Sequence, residues 1–131
     1  MPKTDELDRI FDRIKKIMEA YSPPFSVKTP SEALQKKRSY ELTSAKKVII
    51  AERPKDEVYF AGIIKQKDYV GFYYMLAYAD PEVKKKLSPD FLKLLKGKSC
   101  FYIRSTERTI LDQVRKALDL GLKGYQKRGW V

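Results

Sequence analysis

The stretch Val58–Ala79, VYFAGIIKQKDYVGFYYMLAYA, limits the possible folds of this chain more than any other. β-Branched and aromatic residues crowd both of its halves, which predicts two strands, Val58–Ile64 and Tyr69–Leu76, around the polar turn Lys65, Gln66, Lys67, Asp68. A turn of that length pairs Ile64 with Tyr69. Gly62 then falls opposite Gly71, Phe60 opposite Tyr73 and Ala61 opposite Phe72. Alternation gives one face Val58, Phe60, Ile64, Tyr69, Tyr73 and Met75, with a notch at the paired glycines. The other face carries Tyr59, Ala61, Ile63, Val70, Phe72, Tyr74 and Leu76. A hairpin apolar on both faces belongs in the middle of a sheet. None of its residues is a recognisable catalytic group.

Helical periodicity brackets this hairpin. Leu7, Ile10, Phe11, Ile14, Ile17, Met18 and Tyr21 form one apolar stripe, predicting a helix over Thr4–Tyr21 with Thr4 as cap. Its acids pair along the helix, Asp5 with Arg9 and Asp12 with Lys16, so they read as a solvated face and not as a metal ridge. A second stripe, Ile110, Leu111, Val114, Ala117, Leu118, Gly121, Leu122 and Tyr125, predicts the last helix, capped by Ser105 or Thr106. Ser88 and Pro89 open a short helix carrying Phe91, Leu92, Leu94 and Leu95, closed by Gly97. Thr29–Glu32 opens a further short helix with Ala33 and Leu34. Tyr40–Thr43 and Lys47–Ala51 are strands that run with Val58–Ile64 as an antiparallel meander, and Lys98–Arg104 is another strand.

At 131 residues the chain reads as a single domain over 1–131, long enough to bury a core without disulfide or metal. The expected architecture is α+β: a mostly antiparallel sheet of four or five strands, with two long helices and one short one against it. The helices should cover the face with Ala61, Val70 and Phe72, leaving the notch open.

Chemistry is limited by what is missing. The chain has no histidine and one cysteine, Cys100, which removes histidine-based triads and the usual zinc sites. Gly97, Lys98, Ser99 imitates the end of a phosphate-binding loop, but Leu92 stands where the first glycine is needed, and the motif precedes a strand. Cys100 lacks a histidine base and reads as a small buried hydrophobe packed under a helix. The net charge of +11 either attracts anions (nucleic acid, phosphorylated ligands, acidic proteins or anionic membrane surfaces) or is simply solvated lysine surface. The N-terminal stretch MPKTDELDRI lacks the apolar core of a leader, and no apolar run approaches the length of a membrane span, so a cytoplasmic protein with no membrane partner is expected.

The phrases VYFAGIIKQKDYVGFYYM, LLKGKSCFYIRS and GYQKRGWV resemble the YdhG-like proteins (domain of unknown function 1801). The resemblance is strongest from Tyr40 onward. It implies an α+β domain with an antiparallel sheet, and for some members a frataxin-like iron-chaperone role in iron–sulfur assembly. It implies no ligand residue here. The residues themselves point to a non-enzymatic binding or adaptor domain, monomer or homodimer, without cofactor or metal, for an anionic small ligand or an acidic partner. Its site would comprise Phe60, Gly62, Tyr69, Gly71, Tyr73, Lys98, Tyr102 and Arg104. Iron handling and nonspecific RNA binding are the alternatives, the latter because tyrosines interleave with basic residues.

Overall fold

The computed structural model describes residues 3–33, 35–50 and 52–131; Leu34 and Ala51, each placed above in a short element, lie outside the described residues. Two long helices, α1 (Thr4–Glu19) and α5 (Arg108–Arg128), lie in one layer against a six-stranded antiparallel sheet. Its strands are β1 (Ser26–Val27), β2 (Ser39–Ser44), β5 (Val58–Lys65), β6 (Val70–Tyr74), β8 (Cys100–Ile103) and β7 (Leu95–Lys96), in that spatial order. A separate ribbon pairs β3 (Val48–Ile50) with β4 (Arg53–Lys55). Three short helices, α2 (Met75–Ala79), α3 (Pro81–Lys85) and α4 (Pro89–Leu92), follow the central hairpin. The architecture is α+β. Among the described residues no helix is long and apolar enough to cross a membrane.

Both helical stripes go where their periodicity sends them. α1 buries Leu7, Ile10, Phe11, Ile14 and Met18, and α5 buries Leu111, Val114, Ala117, Leu118, Gly121 and Tyr125. Opposite them the sheet presents Leu42, Ala61, Ile63, Val70, Phe72, Tyr74, Phe101 and Ile103, all without exposed surface. Each large apolar side chain among them contributes about 1.5–3 kcal/mol through burial, and this layer is the source of most of the stability. Gly121 lets α5 approach closely: a Cβ there would stand 2.7 Å from Phe60 Cε1 and 3.0 Å from the Tyr74 ring.

The central hairpin forms in a different register from the expected one. Gln66 N–H donates to the Tyr69 carbonyl at 2.9 Å, so only Lys67 and Asp68 make the turn and Lys65 pairs with Val70. Gly62 therefore faces Tyr73, Gly71 faces Ile64, and the two glycines are not opposite each other. A β-bulge adds a second change. Leu42 pairs with Ala61 but Thr43 with Tyr59, so Phe60 is the extra residue on β5. The bulge reverses the alternation, and Phe60 and Ala61 both turn toward the helices while Tyr59 turns away. Phe60 stacks on Phe25 at 3.8 Å and meets Tyr125 edge-on at 5.1 Å. It is core, and it leaves the notch face to which alternation alone assigns it.

Other local expectations are also corrected. The second strand stops at Tyr74, and Met75 and Leu76 open α2, in keeping with the helix propensity of Met, Leu and Ala. β2 pairs directly with β5, so Val48–Ile50 forms the outlying ribbon instead of the middle strand of a meander. α4 ends at Leu92, and Gly97, at φ +76°, makes the β7–β8 turn instead of closing a helix. Residues 32–33 form a turn. Lys3 and Glu107, not Thr4 and Ser105 or Thr106, precede the long helices. Asp12 bonds Arg38 at 2.7 Å and not Lys16, while Asp8 receives Arg38 at 3.0 Å and Lys65 at 2.9 Å. These bonds tie α1 to the start of β2 and the end of β5.

Candidate functional site

The sheet face turned away from α1 and α5 carries the candidate site. Strand alternation on β6 and β8 brings Gly71 beside Tyr102 and Tyr73 beside Cys100, and their registers are paired residue by residue. Tyr69 and Arg104 continue the same faces just past the strand ends. The Tyr69 and Tyr102 rings stack with centroids 3.8 Å apart and planes 7° from parallel. The Arg104 guanidinium carbon lies 5.7 Å from both centroids, within cation–π range. Gln66 Nε2 donates to the Tyr73 hydroxyl at 3.4 Å.

Tyrosines occupy the glycine notch. A Cβ on Gly71 would stand 2.9 Å from Tyr73 Cε2, because that ring lies over the glycine. At Gly62 the Tyr59 hydroxyl fills the same role, with the Glu41 side chain beside it. The hollow expected from paired glycines is thus replaced by a floor of aromatic rings. This packing explains why glycine stands at both positions in strands otherwise rich in bulky residues.

Three phenols of this face, Tyr59, Tyr69 and Tyr73, hold their protons firmly. Tyr69 is raised by its hydrogen bond with Tyr102, then by burial. Burial raises Tyr73, and burial with the neighbouring Glu41 carboxylate raises Tyr59. Cys100 is half-buried on this open face and not packed beneath a helix, which corrects the sequence expectation. Burial also raises its thiol, against a smaller opposing hydrogen bond from Tyr73, and a protonated thiol is a poor nucleophile. The face therefore offers neutral hydroxyls, π-surfaces and a guanidinium, which are means of binding.

Comparison of the chain with protein-family models, curated proteins and solved structures finds no match.

Of the residues singled out from sequence, Gly62, Tyr69, Gly71, Tyr73, Tyr102 and Arg104 share this one face, Lys98 lies in the β7–β8 turn beside it, and Phe60 is in the core. Tyr59 and Gln66 join the face although sequence reasoning leaves them out. Tyr59 is hidden by the bulge, which no residue type marks, since Phe60 and Ala61 are both apolar. Gln66 is hidden in a turn that is shorter than its polar residues suggest.

Proposed function

We propose that this chain is a non-enzymatic binding domain that holds single-stranded nucleic acid on its open sheet face. The observation that carries the reading is the Tyr69–Tyr102 stack flanked by Arg104 on an uncovered antiparallel sheet, with Tyr73 and Tyr59 on the neighbouring strands. Bases are planar and stack on aromatic rings, while a guanidinium serves both phosphate and π-face. The filled notch argues against a compact small ligand, which needs a hollow. The positive charge of the chain supports an anionic partner of either kind.

The YdhG-like resemblance stands beside this reading as a proposal about descent. Its iron-chaperone role is less well supported, because two of the five acids on α1, Asp8 and Asp12, are engaged by Arg38 and Lys65, and no three possible ligands cluster among the described residues.

Fluorescence anisotropy with labelled oligouridylate and oligothymidylate tests the reading. Binding should persist in part at physiological salt, because stacking is not screened as phosphate contacts are. Tyr102→Ala should weaken that salt-resistant part by roughly tenfold, the value of one stacked base. Equal binding by the variant at physiological salt, or no binding by the native chain, would overturn the proposal.

A further inference from the structure

A second anion-attracting surface lies elsewhere, and it differs in kind from the tyrosine face. The ribbon β3–β4 and the end of α5 enclose a groove of about 500 Å³ whose walls include Lys46, Lys47, Lys55 and Arg128 beside a single acid, Asp56. A second groove of about 470 Å³, between α3 and α5, is walled by Lys123, Lys127 and the same Arg128. Arg128 thus joins the two into one track. Its guanidinium is fixed by Asp80 at 2.5 Å and by the Gly124 carbonyl at 3.0 Å, and lies 5.4 Å from the Trp130 centroid.

We infer that this track is a docking surface for the phosphate backbone of double-stranded nucleic acid. Three observations support it. None of the five lysines makes an ion pair among the described residues, whereas the acids of the second groove are engaged, Asp80 by Arg128 and Glu82 by Lys85. After Asp119 the last turns of α5 hold only Lys123, Lys127 and Arg128 as charged residues, so no acid on that stretch of helix offsets them. Finally, a two-stranded ribbon is one of the shapes that a duplex groove admits, and this one projects Ile49, 74 % exposed, opposite Pro54. Lysines are point charges suited to phosphate and read no base, so the surface should be indifferent to sequence. The inference does not depend on the single-strand reading of the tyrosine face.

The test is anisotropy of a labelled mixed-sequence duplex across a salt series, using the full chain. The variants are Lys46→Gln with Lys47→Gln and Lys55→Gln, Lys123→Gln with Lys127→Gln, and a control, Lys15→Gln with Lys16→Gln on α1. Each lost phosphate contact lowers the log–log salt slope by about 0.9, so the triple variant should lower it by about 2 to 3 and the double by about 1 to 2. The control and Tyr102→Ala should leave duplex binding within about twofold, since neither touches the track. Circular dichroism melting checks that all variants fold. Equal losses in the control would reduce the track to diffuse charge and overturn the inference. So would absence of duplex binding, or capture by phosphatidylserine vesicles in preference to the duplex.

Discussion

The two faces of the central sheet use tyrosine in opposite ways. On the covered side, Tyr74 of β6 and Tyr125, which α5 lays against the sheet, have no exposed surface, and each donates its hydroxyl to a main-chain carbonyl: Tyr74 to Ala117 at 2.5 Å, Tyr125 to Tyr59. Their rings are locked by Phe60, Phe25, Phe72 and Trp130. On the open face, Tyr69, Tyr73 and Tyr102 are half-buried, and their contacts are with each other, with Arg104 and with Gln66. A buried phenol must find an acceptor or lose its desolvation energy, so the first set serves the fold. The second set keeps one side toward solvent. Residue type is the same; what separates the roles is the layer of helix above.

The comparison is sharpest in stability. Tyr125→Ala should cost roughly 3–5 kcal/mol, because it opens a cavity between Phe25, Phe60 and Trp130 and strands the Tyr59 carbonyl. Tyr69→Ala should cost about 1 kcal/mol or less, as a partly exposed ring removed from one cross-strand stack. Urea unfolding of the two variants measures the gap. Similar losses would mean that the rings of the open face hold the fold together as strongly as those under the helices.

A helix glycine provides the next contrast. In Gly121→Val the new Cβ meets Phe60 and Tyr74 within 3.0 Å, and neither can retreat: Phe60 is clamped by Phe25, and Tyr74 is held through its hydroxyl. Overpacking should cost roughly 1–3 kcal/mol despite the better helix propensity of valine over glycine. A neutral result by denaturant unfolding would show that the helix–sheet contact is looser than these distances imply.

Sequence alone reveals the layers and hides the registers. The stripes of α1 and α5 are legible because a helical period repeats often enough to average out errors, and the choice of the covered face follows from the continuous run Ala61, Val70, Phe72. The hairpin register is not legible, because Lys65–Asp68 contains no glycine or asparagine to mark the tight turn that Lys67 and Asp68 make. The bulge at Phe60 is invisible for a different reason: with apolar residues at 58, 60, 61, 63 and 64, either parity buries something, so the pattern carries no sign of the reversal. Val48, Ile49 and Ile50 imitate a central strand, yet β2 takes β5 as partner and leaves them out of the main sheet, where Val48 and Ile50 pack against the core edge and Ile49 is exposed. Long-range pairs such as Arg38 with Asp8 and Asp12 have no local signature; the i,i+4 rule points to Lys16 instead. On the site, the tyrosines of β6 and β8 are legible by alternation, and Tyr59 is hidden with the bulge.

The smallest expected effect concerns Gly71, the open-face counterpart of Gly121. By distance alone the two positions look alike, since a Cβ on Gly71 would come 2.9 Å from Tyr73. What differs is the freedom of the neighbour. The Tyr73 ring is half-buried, held by one long hydrogen bond from Gln66, and has solvent into which it can swing. Valine also suits a strand better than glycine, recovering about 0.5–1 kcal/mol of backbone entropy and propensity. Gly71→Val should therefore change stability by no more than about 1 kcal/mol in either direction, well short of the overpacking cost expected at Gly121. Binding should respond more than folding does. Displacing the Tyr73 ring disturbs the floor beside Tyr102, so oligouridylate affinity should fall several-fold while the unfolding midpoint hardly moves. A loss of stability well above about 1 kcal/mol would show that Tyr73 is as fixed as Tyr74 and belongs with the structural set. Unchanged affinity with a displaced ring would remove Tyr73 from the binding surface and confine it to Tyr69, Tyr102 and Arg104.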